Sequence, residues 1–301
     1  MIVAGARVER APAKINLTLR VIARRPDGYH DIESLVAFAG VADRLSFMPD
    51  RMLALAVGGP MAARCGELAD NLVLKAAHAL SERVAGLKVG RFLLSKRLPV
   101  AAGLGGGSSD AAAALRLLAR ANHLALEDPR LIEAAQATGA DVPVCLDPQT
   151  RVMRGIGDVL SDRIKLAPLP AILVNPGVMV ATSEVFRALE LSRPAAKVAG
   201  LPISSGPQDT WVGWGSGLAA LVAGLASVGN DLEKPAIRLR PVIAEVLQAL
   251  ATLPCCQLAR MSGSGASCFG LFATAREASL AARRLRAEQP TWWIRTTTLA
   301  G

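Results

Sequence analysis

Gly103, Gly105, Gly106 and Gly107 fall within five positions and lead at once into Ser108, Ser109 and Asp110, then the apolar run Ala111 to Leu118. Glycine admits positive φ and lets bare backbone approach a ligand closely. Ser and Asp are the residue types that cap a helix by accepting bonds from its first free N–H groups. A helix start also offers unpaired N–H donors and the positive end of a dipole, which together suit a phosphate. The stretch reads as a loop built to hold polyphosphate. It is neither of two commoner phosphate loops. No lysine in the chain is followed by Ser or Thr, as a P-loop requires, and the G-x-G-x-x-G pattern fits Gly103 and Gly105 but meets Ser108 at its third glycine. The competing reading, a flexible linker, is opposed by the helix signal that follows immediately.

The elements around the loop follow from periodicity. Ala11 to Val21 alternates Ile15, Leu17, Leu19 and Val21 with Lys14, Asn16, Thr18 and Arg20, so a strand is expected with Lys14 and Asn16 on the face opposite the apolar one. Pro26-Asp27-Gly28 marks a turn that carries Tyr29 and His30. Val36 to Val57 predicts a hairpin turning at Pro49-Asp50-Arg51. Asp70 or Asn71 caps a helix with the stripe Leu72, Ala76, Leu80 and Val84, ending near Gly86, with His78 off the stripe. Leu87 to Lys96 is strand-like and feeds the glycine loop, whose helix runs from Ser109 to about Ala121. Another helix, Arg130 to Ala137, stops at Gly139 before Asp141-Val142-Pro143, where the proline stiffens the chain behind the aspartate. Beyond a boundary at Arg163 to Pro170 come a strand (Ala171 to Val174), a helix capped by Thr182 and carrying Phe186, and an irregular, mobile insertion from Ser192 to Gly217. Helices over Leu218–Ser227 and Ala236–Leu253, two strands flanking Ser262 to Ser267, a helix (Glu277–Glu288) and a strand (Trp292–Thr298) complete the chain. Helices and strands mix without a strict βαβ repeat, which favours an α+β fold in two lobes.

Composition narrows the function classes. The 301 residues are 51% hydrophobic, which excludes a disordered chain, and the apolar runs are broken well short of a membrane span. Met1 to Arg10 has no apolar core of a signal peptide, so the cytoplasm is the expected address. Five scattered cysteines and three separated histidines make neither a zinc site nor a disulfide framework, and buried reduced thiols are expected. The net charge of +9 comes from arginines spread along the chain, without a basic block, which favours an anionic small substrate over nucleic acid.

Three separated motifs, Pro12-Ala13-Lys14-Ile15-Asn16-Leu17, Leu98 to Ser109, and Ser262 to Ser267, resemble the three signatures of the GHMP family of small-molecule kinases, in order and spacing over the whole chain. Arg25 to His30, Gly139 to Pro143 and Gly155-Ile156-Gly157 are similar to the branch of that family whose acceptor is a cytidine diphosphate-linked methylerythritol. The resemblance implies a two-lobed α+β fold, with an S5-like ATP-binding lobe over residues 1–165 and a ferredoxin-like lobe over 166–301. It implies transfer of the γ-phosphoryl of ATP, with Mg2+, to a tertiary hydroxyl of the acceptor. Pro99, Val100, Ala101, Ala102, Gly103, Leu104, Gly105, Gly106, Gly107, Ser108 and Ser109 would hold the nucleotide, with Ser108 or Ser109 near the metal. Asp141 would orient the hydroxyl and accept its proton, and Lys14 would keep that carboxylate ionised. Asn16, Tyr29, His30, Thr182 and Phe186 would bind the acceptor, Tyr29 stacking on cytosine and His30 bonding its edge.

Each role has a plainer rival: Asp141 could cap a helix, Lys14 could be a solvated strand residue, and Phe186 could be a core position. The chain departs from the family at Val36, where an aromatic often stands near the base, at Val100-Ala101-Ala102, and in the Ser192–Gly217 segment. Partners beyond the small substrate are not expected: no nucleic acid, no membrane, a monomer or weak homodimer. The alternatives are a GHMP kinase for a nucleotide-free alcohol such as homoserine or mevalonate, and a nucleotide-sensing protein without catalysis.

Overall fold

The computed structural model describes residues 6–190 and 217–300. Strand β1 (Arg7–Asn16) and strand β2 (Arg20–Arg24) both pair with the 20-residue β3 (His30–Pro49), which is the spine of one mixed sheet. Lys14 and Asn16 lie inside the protein, 4% and 2% exposed, because both faces of β1 are covered. The expected strand over Ala11–Val21 is broken between Asn16 and Arg20.

The expected hairpin at Pro49-Asp50-Arg51 does not form. β4 (Ala54–Gly58) is followed by α1 (Leu72–Arg83) and β5 (Gly90–Ser95), and β5 takes the edge of β3, from Arg44 opposite Ser95 to Pro49 opposite Gly90. β4 then pairs in parallel with the outer edge of β5. Parallel neighbours need a crossover, and α1 supplies it. Asn71 caps α1 by accepting from the Val73 N–H, and the buried residues are Val73, Ala76, Ala77 and Leu80, one step round from the expected stripe.

Helix α2 (Gly106–Ala121) starts three residues before Ser109. Its run Ala111 to Ala114 is fully buried, small enough to let the helix pack closely on β1 and α1. α3 (Pro129–Thr138), capped by Asp128, and the short α4 (Val142–Leu146) complete the packing of this half. β6 (Arg151–Gly155) extends β3 and forms a hairpin with β7 (Val159–Leu160).

The second half continues the same sheet. β8 (Leu169–Asn175) is followed by α5 (Thr182–Glu190), α6 (Leu218–Val228), α7 (Glu233–Leu239) and α8 (Val242–Ala251). The single helix expected over Ala236–Leu253 is two, interrupted at Arg240 and Pro241, since proline lacks the N–H and crowds the preceding turn. The expected insertion from Ser192 falls outside the described residues up to position 216. β9 (Leu258–Met261) and β10 (Cys268–Leu271) pair antiparallel, and α9 (Ala275–Glu288), held by a Thr274/Glu277 capping box, precedes β11 (Trp293–Ala300). β11 lies between β8 and β3, so the sheet order β4-β5-β3-β11-β8-β10-β9 joins both halves. One apolar cluster, with Ile15, Leu17, Leu104, Leu173 and Phe269, spans that join. Of the cysteines, Cys145 and Cys268 are buried, whereas Cys255 is exposed.

Two features fix the glycine loop on this frame. Gly103 has φ +72°, and a Cβ there would lie 2.3 Å from the Ser262 carbonyl oxygen. Beneath the start of α2, the Lys96 ammonium donates to Asp43 at 2.7 Å and to Asp110 at 2.5 Å, all three side chains being buried. Burial alone would depress the Lys96 pKa, but the two carboxylates outweigh it and carry it up to about 12. Burial, opposed by Lys96 and reinforced by Asp43, pushes Asp110 up to about 7.

Gly103→Ala is expected to cost about 2–4 kcal/mol, because both the left-handed φ and the contact with Ser262 must give way. Urea unfolding measures it, and an unchanged midpoint would show that the loop is not clamped there. For Asp110, the folded value lies above the ordinary carboxyl value of 3.8, so its contribution is full in acid and lost as pH rises from about 4 through about 7. The Tm of Asp110→Asn relative to the parent is therefore expected to rise between about pH 5 and pH 8, followed by circular dichroism at fixed ionic strength. A flat difference would place the titrating proton elsewhere.

Candidate active site

One cleft of about 970 Å³ runs between the glycine loop and α5. Pro99, Val100, Ala101, Ala102, Gly103, Gly105, Gly106, Gly107 and Ser108 line one wall. Leu104 and Ser109 do not reach it. The Leu104 side chain is in the core and its carbonyl accepts from the Lys14 N–H at 2.9 Å, while Ser109 is fully buried beside the Cys145 thiol. Side-chain capping by Ser108, Ser109 or Asp110 does not occur either. Gly105, at φ +59°, occupies the cap position without a side-chain bond, and the first intrahelical bond of α2 runs from Ser109 N to Gly105 O. The amides of Gly106, Gly107 and Ser108 consequently have no partner within the helix, and these three residues line the cleft. An uncapped helix start of this kind is suited to a phosphate.

Across the loop, Lys14 donates to Asp141 Oδ2 at 2.7 Å. β1 supplies the lysine and the turn before α4 supplies the aspartate. Although Asp141 stands at the cap position of α4, its side chain makes no cap bond, so the capping rival fails. The lysine is 5% exposed and the carboxylate 36%, which directs the open side of the pair into the cleft. The Cys145 thiol lies behind it, pushed up to about 12 by burial and by the Asp141 charge, and therefore forms a neutral wall. Asn16 donates through Nδ2 to Ser34 Oγ at 2.7 Å, which turns Oδ1 towards Gly263 at the cleft.

The far end is built from both halves of the sheet. The turn between β2 and β3, closed by Arg25 N to Tyr29 O and by Tyr29 N to Asp27 Oδ1, holds Tyr29 out at 59% exposure. The His30 ring stacks on Phe186 of α5, centroids 4.5 Å apart and 21° between planes. Thr182 is the first residue of α5 and not its cap, and its hydroxyl meets Ser264 Oγ at 2.9 Å, tying the helix to the turn between β9 and β10. Val36 is fully buried in the core and does not line the cleft, so the missing aromatic there leaves the wall unchanged. Ala101 takes φ +50° in the loop, the left-handed region that glycine adopts most readily.

Sequence reasoning did not find the Asp43–Lys96–Asp110 cluster, or Arg24 and Arg187, all but Asp43 lining the cleft, whereas Ser264 lies within the motif expected to shape the site. A signal existed for the cluster, since Lys96 and Asp110 bracket the loop in sequence. None of the described residues forms a group of three or more His, Cys, Asp and Glu able to cage a metal.

The GHMP kinases N terminal domain matches residues 71–147, and the GHMP kinases C terminal domain matches residues 213–291. The chain is 57% identical over 290 residues to a 4-diphosphocytidyl-2-C-methyl-D-erythritol kinase of Xanthobacter autotrophicus, covering 96% of this chain and 98% of that one. A protein of the same name from Azorhizobium caulinodans is 55% identical over 292 residues, with 97% and 98% covered. Among solved structures, a 4-(cytidine 5'-diphospho)-2C-methyl-D-erythritol kinase superposes with a TM-score of 0.73 at 35% identity, covering 98% of this chain and all of that one. A homoserine kinase from Cytophaga hutchinsonii, at 17% identity and a TM-score of 0.67 over 100% and 96% of the two chains, shares the fold. A cradle of open amides, an acid–amine pair facing it, and these matches across both halves of the sheet place the chain in the GHMP kinase family.

Proposed function

We propose that this protein is the ATP-dependent kinase that phosphorylates the 2-hydroxyl of 4-diphosphocytidyl-2-C-methyl-D-erythritol in isoprenoid precursor synthesis. The observation that carries the chemistry is the Lys14–Asp141 pair at 2.7 Å, set in the same cleft as the uncapped start of α2. The acceptor rests on relatives of that name at 52–57% identity over nearly the full chain.

The residues divide the work as phosphoryl transfer requires, by position and charge. The amides of Gly106, Gly107 and Ser108 bind the β- and γ-phosphates of ATP. Ser108, which brings a hard oxygen donor to the loop, would hold the Mg2+ that accompanies the nucleotide, and the ion would supply neutralisation of phosphate charge. Asp141 orients the acceptor hydroxyl and takes its proton as the new P–O bond forms and the bond from the γ-phosphorus to the bridging oxygen breaks, releasing ADP. Lys14 holds the carboxylate by its 2.7 Å bond and lies where charge gathers on the moving phosphoryl group. Asn16 fixes the acceptor next to Asp141. Tyr29, His30 and Phe186 hold the cytosine, the exposed Tyr29 ring supplying a stacking face. No helix among the described residues is long and apolar enough to cross a membrane, and we place the reaction in the cytoplasm.

The decisive assay is ADP release from purified protein offered a panel of alcohols, with and without a cytidine diphosphate handle. Turnover confined to the cytidine diphosphate acceptor is expected, whereas turnover of homoserine or mevalonate alone would overturn the assignment. Asp141→Asn is expected to leave ATP binding nearly intact and lower kcat by on the order of 10² or more. Near-normal kcat in that variant would remove Asp141 from the mechanism.

A further inference from the structure

The cleft must accept two strongly anionic molecules, yet both lysines that line it already have anionic neighbours. Lys14 is bonded to Asp141, and Lys96 lies between Asp43 and Asp110. Lys96 cannot turn to a phosphate without leaving two buried carboxylates uncompensated, and Lys14 is already engaged by Asp141. The open amides of α2 serve the nucleotide, and they sit at the loop end of the cleft. Arg187 differs from both lysines. It is exposed, it lines the cleft, and it pairs with no carboxylate among the described residues.

Its place on α5 gives the unpaired charge a direction. Phe186, the residue before it, stacks on His30 at the base end. Thr182, five residues earlier, is bonded to Ser264 beside the glycine loop. Long side chains on a helix lean back over the preceding turn, so the Arg187 guanidinium is carried towards Ser183, its i−4 neighbour, which also lines the cleft. Arg187 thus stands between the aromatic end and the phosphate end. An acceptor whose base lies at Phe186 and whose hydroxyl reaches Asp141 must thread its diphosphate through that interval. A guanidinium matches phosphate oxygens in a planar, two-pronged geometry that an ammonium cannot copy.

We infer that Arg187 is a specificity-determining residue that binds the diphosphate of the acceptor and so selects nucleoside diphosphate-linked alcohols over free ones. This rests on the acceptor proposed above, and the test separates the two. Calorimetric titrations of the full chain with CDP and with cytidine are run with a non-hydrolysable ATP analogue saturating the phosphate loop. CDP is expected to bind the parent protein more tightly than cytidine. Arg187→Gln should weaken CDP by about tenfold or more while leaving cytidine and the ATP analogue unchanged, and Arg187→Lys should recover part of the loss. Unchanged CDP affinity in Arg187→Gln would overturn the inference, as would an equal loss for cytidine. A parent protein that turns over the cytidine diphosphate acceptor but binds CDP no better than cytidine overturns this inference alone. A parent that binds neither overturns the acceptor assignment, and this inference with it.

Discussion

One hydroxyl joins the three motifs from which the site is built. Ser262 Oγ accepts from the Asn16 N–H at 3.1 Å and donates to the Gly103 carbonyl at 2.9 Å. It therefore bonds β1, the glycine loop and the β9–β10 turn at a single buried atom. Ser267 N to Ala102 O adds a second tie to the loop, and Asn230 Nδ2 holds the turn through the carbonyls of Met261 and Gly263. A neutral hydrogen bond contributes only about 1 kcal/mol, but leaving a buried partner unmet costs more, so these contacts act as constraints on geometry. With the loop held from the second half of the sheet, the α2 amides and the Lys14–Asp141 pair keep a fixed separation without either touching the other.

Electrostatics explain why the proposed nucleotide site relies on backbone. The net charge of +9 suggests a cleft rich in available cations, but the lysines nearest the loop are held by carboxylates of the same fold. Lys96 between two aspartates adds no net positive charge at the cradle when both are ionised. It is a strut under Gly106, where its Nζ would stand 3.2 Å from an added Cβ. Attraction for phosphate at that point must come from peptide dipoles, which need no counter-charge and cannot rotate away.

The parts of the molecule that local sequence encodes were legible, and the parts decided by long-range pairing were not. The glycine loop, the Asn71 cap, the Pro26-Asp27-Gly28 turn and the Asp141 segment are each fixed by residues within a few positions. The β4–β5 pairing was not legible, because Leu53, Leu55 and Val57 alternate equally well for a hairpin partner or a parallel neighbour, and only α1, read together with its need for a covered face, distinguishes them. Capping at Ser108 to Asp110 was misread for a related reason. Residue type suggested side-chain caps, whereas Lys96, distant in the fold's logic though near in sequence, draws Asp110 inward and leaves the amides open. At Thr182 a hydroxyl that local rules assign to a helix end is taken by Ser264, 82 residues away.

The same contrast separates what the family shares from what this chain selects. Homoserine and mevalonate kinases match nearly the whole chain at 17% and 10% identity, so a uniform fold tolerates almost complete replacement of side chains. Backbone amides and a clamped loop can survive such drift, since they ask little of side-chain identity. They also carry no information about the acceptor, because every phosphoryl donor looks alike to them. Discrimination has to reside where side chains meet the second substrate, and under the function proposed here that region is small: the turn up to His30 from one half and the cleft-lining face of α5 from the other. His30 stacked on Phe186 brings those two segments together across the cleft. A change of acceptor would therefore require rebuilding a turn and one face of one helix, while the phosphate machinery and the sheet beneath it stayed as they are.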